Sequence, residues 1–335
     1  MSVRVVTDTF DRIEWNSVAG HPMQSWEWGE ARKQMDVEVV RVGEFDATTL
    51  KNVFQMTLHR IPVINKRTAY LPRSVFPSKN VLQFLAEYCK ENNIISVKLE
   101  PYGMKNQKSG IRNQKVIPST TPLFPEWTII IDLTKSENEL LKQMKPKTRY
   151  NLRLAQKKGV VVKEETTQKG FETFVHLYLD TCKRQNYYGH SYEYHKAIFE
   201  TLKKNTVHIF IAYYQNVPLA AYELFHFKDT VYYAYGGSSN LHRNVMAAQL
   251  IMWESIRHAK RLSAKIFDMW GSLQPSYPPN HPWAGFTRFK EGFGGKFIQL
   301  GGSYDLVIDP LLYRLFTSTY TIRTAYLIVK GKIRV

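Results

Sequence analysis

Cysteine is scarce in this 335-residue chain: Cys89 and Cys182 stand far apart, and neither belongs to a CxxC pair or a Cys/His cluster. That spacing offers no ligand set for a metal, and no cofactor is expected. Two isolated thiols read as buried small hydrophobes in a reduced, cytoplasmic compartment. Long apolar runs are missing as well. No stretch approaches the roughly 20 apolar residues of a membrane span, and Met1 to Val6 has no signal-peptide core. The expectation is a soluble protein. The segment from Leu311 to Val335 mixes apolar residues with Arg314, Arg323, Lys330, Lys332 and Arg334. It suits a closing helix and strand with snorkelling bases, or peripheral contact with the inner face of an anionic membrane. Sustained heptads are absent, which excludes a long coiled-coil arm, and nothing resembles a Ser/His/Asp set for covalent catalysis.

Acidic residues are also in short supply: 29 against 46 Lys and Arg leave a formal net charge of +17. The surplus favours a polyanionic partner such as nucleic acid, anionic lipid or a phosphorylated substrate, although a generally basic proteome explains it too. With 44% apolar and 13% aromatic residues the chain can bury real cores. Its length exceeds what one core usually supports, so two domains are expected.

The patterns alternate as mixed α/β. Helical periodicity covers Trp26 to Gln34 and Val81 to Cys89, and strand-like runs cover Val37 to Val42, Ile95 to Leu99 and Thr128 to Leu133. Thr134 to Glu137 opens a capped helix near the expected boundary between residues 1–140 and 141–316. The second part shows helices over Phe171 to Gln185 and Met246 to Ala259. Its strands cover Val207 to Tyr214, Leu219 to Phe227, Val231 to Tyr235 and Ile266 to Trp270, with turns at Gln215-Asn216 and Lys228-Asp229.

Three segments carry chemistry. From Lys142 through Lys163 there are eight basic residues and no acidic one. Pro146 can start a helix there and Gly159 can end it, with Lys147 near its start and Arg149, Arg153 and Lys157 recurring on one face. A solvated face is the bland reading, but the lack of interleaved acids favours anion binding, with RNA phosphates the natural ligand. The second segment runs from Asp268-Met269-Trp270-Gly271 through a proline-rich loop to a turn of aromatics and glycines around Arg288, Phe289 and Lys290. A lysine there could stabilise developing negative charge. Glu223 and Asp268 are proton-transfer candidates or structural partners. The third segment ends a helix pattern at Arg184 with Tyr188 beyond it; the arginine suits a helix dipole or a phosphate.

Gln24 to Arg32, Lys147 to Val160 and Trp270 to Gly295, in that order, resemble the FemABX peptidyltransferases, and Tyr70-Leu71-Pro72-Arg73 and Tyr235 to Ser238 match more weakly. The resemblance implies two acetyltransferase-like (GNAT) α/β domains in a compact, armless monomer, with segment 317–335 returning to the first domain. It implies transfer of an amino acid from aminoacyl-tRNA to a stem-peptide amine of UDP-MurNAc-pentapeptide or lipid II. By resemblance Arg32 and Arg184 contact the precursor's diphosphate, with Arg32 standing where a lysine is common. Tyr70, Arg73, Tyr188, Tyr235 and Arg288 line the substrate, and Phe289 and Lys290 lie at the acyl-transfer centre.

Two rivals remain. An acyl-CoA N-acyltransferase of the same fold would hold pyrophosphate on a glycine-containing loop at a helix start, and Arg243 to Ala248, the corresponding place, has no glycine. A non-catalytic RNA- or membrane-binding protein accounts for the charge but not for the Phe289-Lys290 segment.

Overall fold

The computed structural model describes residues 1–62, 64–103 and 116–329. Lys330, Lys332, Arg334 and the side chain of Arg323 fall outside the described residues, as does the strand expected at the end of the chain. The chain divides into two compact units.

The first unit comprises Met1–Glu126 and Gln299–Leu327. Its strands are β1 (Ser2–Val5), β2 (Glu38–Asp46), β3 (Thr49–Ile61), β4 (Lys66–Pro72), β5 (Ile94–Glu100), β6 (Val116–Pro118) and, from the far end of the chain, β14 (Tyr304–Val307). They form one sheet in the order β1-β2-β3-β4-β5-β14-β6. Helix α1 (Arg12–Val18) is capped by Asp11 and α2 (Trp26–Lys33) by Ser25. Parallel strands β4 and β5 are joined by α3 (Lys79–Glu91), which Ser78 caps. Its Val81, Leu82, Leu85 and Cys89 lie on one face and pack with Val42, Phe54, Leu71, Val97 and Leu306. The chain returns to this unit at Gln299, earlier than the 317 expected, because β14 inserts between β5 and β6. Helix α10 (Pro310–Val329) follows. Among the described residues no helix is long and apolar enough to cross a membrane.

The second unit contains Trp127–Ile298 and, of the described residues at the chain end, Ile328 and Val329, so the segment expected from 317 onward belongs to the first unit only as far as Leu327. The start of the second unit precedes the expected 140/141 boundary because β7 (Trp127–Asp132) already belongs to its sheet. With β8 (Val161–Glu164), β9 (Val207–Tyr214), β10 (Val217–Phe227), β11 (Thr230–Ser238), β12 (Ile266–Asp268) and β13 (Lys296–Gln299) the order is β13-β7-β12-β11-β10-β9-β8. Gln215 and Asn216 both adopt positive φ, the geometry a two-residue hairpin needs, and Lys228 does the same in the next turn. The helices are α4 (Glu137–Gln143), α5 (Pro146–Lys157), α6 (Gln168–Gln185), α7 (Tyr192–Leu202), α8 (Ala247–Arg261) and α9 (Ala284–Glu291). Ser136 and Glu139 form a reciprocal capping box at α4. Helix α8 connects the parallel pair β11 and β12. Two expectations change here. Strand β12 stops at Asp268 because Trp270 turns left-handed (φ 65°), and the expected turn around Arg288 to Lys290 is the helix α9.

Candidate functional site

Lys290 is the most unusual side chain of the second unit. It lies on α9, is only 1% exposed, and has its Nζ in hydrogen bonds to the carbonyls of Met269 and Gly271, the latter at 2.7 Å. These carbonyls flank Trp270, whose N–H donates to Asp268 Oδ1 at 2.7 Å. The same oxygen accepts from Thr128 at 2.5 Å. A strained left-handed residue is thus clamped from both sides. The ammonium also sits 3.6 Å from the centre of the Phe286 ring and 5.4 Å from that of Tyr233. Burial pushes its pKa well below the ordinary lysine range, and the Asp268 carboxylate acts in the opposite direction. Phe286, 45% exposed, covers the ammonium. Phe289 turns the other way and packs against the core beside Phe293. Arg288 is exposed.

Asp268 and Glu223, the two proton-transfer candidates, both have buried partners in this arrangement. Glu223 is fully buried and its Oε2 lies 3.0 Å from His195 Nδ1. Near the far end of β11, Arg184 donates weakly to Thr181 (3.3 Å) and Ser238 (3.4 Å). Tyr235 pairs with Tyr194 through their hydroxyls at 3.2 Å, and burial pushes its pKa well up. Tyr188 is 75% exposed. The structure therefore brings Arg184 and Tyr235 to one strand and leaves Tyr188 facing solvent.

The basic helix is α5, ended by Gly159 at φ 82°. Lys147, Arg153 and Lys157 are exposed. Arg149 is not available in the same way: its guanidinium donates to the carbonyls of Leu141 (3.4 Å), Lys142 (3.1 Å) and Met144, satisfying the open end of α4. Of the face expected from Arg149, Arg153 and Lys157, the last two are exposed, and Lys147 is exposed near the start of the helix.

In the first unit Tyr70 and Arg73 meet through Glu100. Tyr70 Oη donates to Glu100 Oε2 at 2.6 Å, and the Arg73 N–H donates to the Glu100 carbonyl at 2.7 Å. Both flank the carboxyl ends of the parallel pair β4 and β5, where open α/β sheets commonly bind ligands. A cavity of about 340 Å³ opens there, lined by Arg73, Glu100, Phe124, Ser303 and Tyr304 among others. Arg32 lies elsewhere in this unit, half-buried on α2, with Nη1 3.5 Å from Met35 Sδ and its charge depressing the pKa of His59 after burial does so.

One further group was not legible in the sequence. Glu164, His208 and His258 offer ligand atoms within 4.8 Å of one another, so the second unit could hold a metal ion where none was expected. His208 Nδ1 lies 2.7 Å from Glu164. These residues come from β8, β9 and α8, and no local spacing announces them. Phe286 was also missed, although a helical reading of residues 284–291 would have placed it one turn before Lys290.

The sequence model of the FemAB family matches residues 118–216 and 210–321, more than half of the chain. A lipid II:glycine glycyltransferase of Staphylococcus epidermidis is 21% identical over 89% of this chain and 91% of its own length. A crystal structure of FemX superposes with a TM-score of 0.82 at 18% identity, covering 94% of this chain and 99% of that one. A tandem GNAT protein from the clavulanic acid pathway gives 0.50 at 9% identity, over 82% of this chain and 84% of that one. The fold is the mixed α/β, GNAT-like one, with two seven-stranded sheets.

Proposed function

Because the chain belongs to the FemAB family, we propose that it is a transferase of cell-wall precursor synthesis, moving an amino acid from aminoacyl-tRNA to a stem-peptide amine of UDP-MurNAc-pentapeptide or lipid II. The observation that carries this reading is the likeness to the lipid II:glycine glycyltransferase, which runs through about nine-tenths of both chains and so includes both units. Exposed Lys147, Arg153 and Lys157 on α5 support an RNA-borne donor. The place where a CoA enzyme would cradle pyrophosphate argues the same way. Arg243–Val245 forms a 3-10 turn, Met246 is left-handed, and the side chains of Val245 and Ala247 are buried there, so no bare glycine backbone faces a ligand.

The reaction is aminolysis of an activated ester: the amine forms a bond to the ester carbonyl carbon and the terminal ribose oxygen leaves. Such chemistry needs positioning of two substrates and stabilisation of an oxyanion. In the proposed roles Lys290 supplies the positive charge. Two of its N–H groups hold the Trp270 turn, and the remaining one becomes available when the exposed Phe286 ring swings aside. Phe289 anchors α9 in the core and thereby positions Lys290. Arg32, Arg184, Tyr70, Arg73, Tyr188, Tyr235 and Arg288 are the proposed precursor-binding side chains. A lipid-linked acceptor would bring the protein to the membrane as a peripheral visitor. Incubation with charged total tRNA and each acceptor, followed by mass analysis, tests the proposal. Added aminoacyl mass is expected; turnover of acyl-CoA with no modified muropeptide would overturn it.

A further inference from the structure

Arg73 stands in the first unit without an ion pair among the described residues, although the Glu100 and Glu126 carboxylates line the same cavity. It is 6% exposed and held at a left-handed φ of 51° directly after β4. Among the described residues its guanidinium has no hydrogen-bond or ion-pair partner; it faces the rings of Phe124 at 4.2 Å and Tyr102 at 5.9 Å. The nearby carboxylate is already satisfied. Glu100 Oε1 accepts from the N–H groups of Leu123 (2.6 Å) and Phe124 (3.3 Å), and Oε2 accepts from Tyr70. Glu126, at the exposed edge, accepts from Gln299 at 2.7 Å. Arg73 lines the 340 Å³ cavity, and so does Ser303, whose buried hydroxyl has no hydrogen-bond partner among the described residues.

A buried guanidinium whose donors have no direct partner is a costly feature for a fold to keep. An unsatisfied hydroxyl in the same wall adds to that cost. Both groups are donors: Arg73 follows the carboxyl end of β4, and Ser303 precedes β14, whose Tyr304 pairs with Leu99 near the carboxyl end of β5. The aromatic faces of Phe124 and Tyr304 complete the wall.

We propose that this cavity is an anion subsite, in which the Arg73 fork and the Ser303 hydroxyl bind an oxyanion, carboxylate or phosphoryl, carried on a ligand with apolar surface. The assignment rests on the muropeptide reading above when it names the ligand: the oxyanion is then the stem peptide's terminal carboxylate or the precursor's phosphate. The fork geometry of arginine suits either.

The test is calorimetric and needs no tRNA. Wild type, Arg73→Gln, Arg73→Lys and Ser303→Ala are titrated with UDP-MurNAc-pentapeptide and with UDP-N-acetylglucosamine, which carries the diphosphate but no carboxylate. Arg73→Gln should weaken the peptide-bearing ligand about tenfold or more, with Arg73→Lys recovering only part of it. A loss confined to the pentapeptide identifies the carboxylate; a loss with both ligands identifies the phosphate. Because an unpaired charge is removed, Arg73→Gln should melt no lower than wild type in the absence of ligand. Unchanged affinity for both ligands in Arg73→Gln, or a lowered melting temperature without ligand, overturns the subsite. If wild type binds neither ligand, the muropeptide reading fails instead, and inorganic phosphate and acetate become the probes. They should then raise the melting temperature of wild type but not of Arg73→Gln, and no response in wild type refutes the subsite itself.

Discussion

Lys290→Met keeps the length of the side chain and removes its charge. The carbonyls of Met269 and Gly271 lose their donor inside the protein, and each unsatisfied buried carbonyl costs about 1–3 kcal/mol. Removing the ammonium also relieves its own desolvation, reflected in its lowered pKa, so the net loss is expected in the lower part of the sum, about 2–3 kcal/mol. For a unit of this size each kcal/mol moves the melting temperature by about 2–4 °C, and a drop of about 5–10 °C follows. Differential scanning calorimetry measures it. Transfer kinetics on the folded variant should then show a fall in kcat with tRNA affinity retained, because the Trp270 turn is no longer clamped and the charge is gone. A variant that melts with wild type and turns over normally would refute both the clamp and the proposed role of Lys290.

Exchanging Lys147, Arg153 and Lys157 together for Gln should reduce the slope of log affinity for tRNA against log salt by about 2–3, at 0.7–0.9 per phosphate contact, without lowering stability. Arg149→Gln should do the reverse, lowering the melting temperature because α4 loses its carbonyl cap and leaving the salt slope nearly unchanged. Cys89, whose thiol burial pushes up to about 12, should resist alkylation at neutral pH until the protein unfolds, as mass spectrometry would show. His258 has a pKa depressed to about 4 by burial, so it stays neutral when folded while the unfolded chain takes up a proton below about 6.5. Its contribution to stability is present above that pH and lost as pH falls towards 4. Urea midpoints of His258→Phe should therefore fall less than those of wild type over the same interval.

Where local chemistry decides, the sequence was legible. Pro146 and Gly159 bracket α5, Ser136 caps α4, and the paired turn residues Gln215 and Asn216 set a hairpin between β9 and β10. Where distant segments decide, it was not. Strand β14 joins β5 of the first sheet from more than two hundred residues away in sequence, so neither the start of the returning segment nor the wall of the Arg73 cavity could be read locally. Residues 284–291 look like a loop because glycine, proline and aromatics crowd them. They form a helix because its buried face, Ala284, Thr287 and Lys290, follows the three-residue spacing. Arg149 shows the same limit: its period matched Arg153 and Lys157, but the open end of α4 lies within its reach and takes its donors.

The central claim is tested most directly by presenting purified protein with lipid II or UDP-MurNAc-pentapeptide, with aminoacyl-tRNA and acetyl-CoA as alternative donors, and weighing the muropeptide product. The account predicts an aminoacyl increment that requires charged tRNA and disappears after ribonuclease treatment. An unmodified muropeptide with charged tRNA, or an acetyl increment from acetyl-CoA, would contradict it.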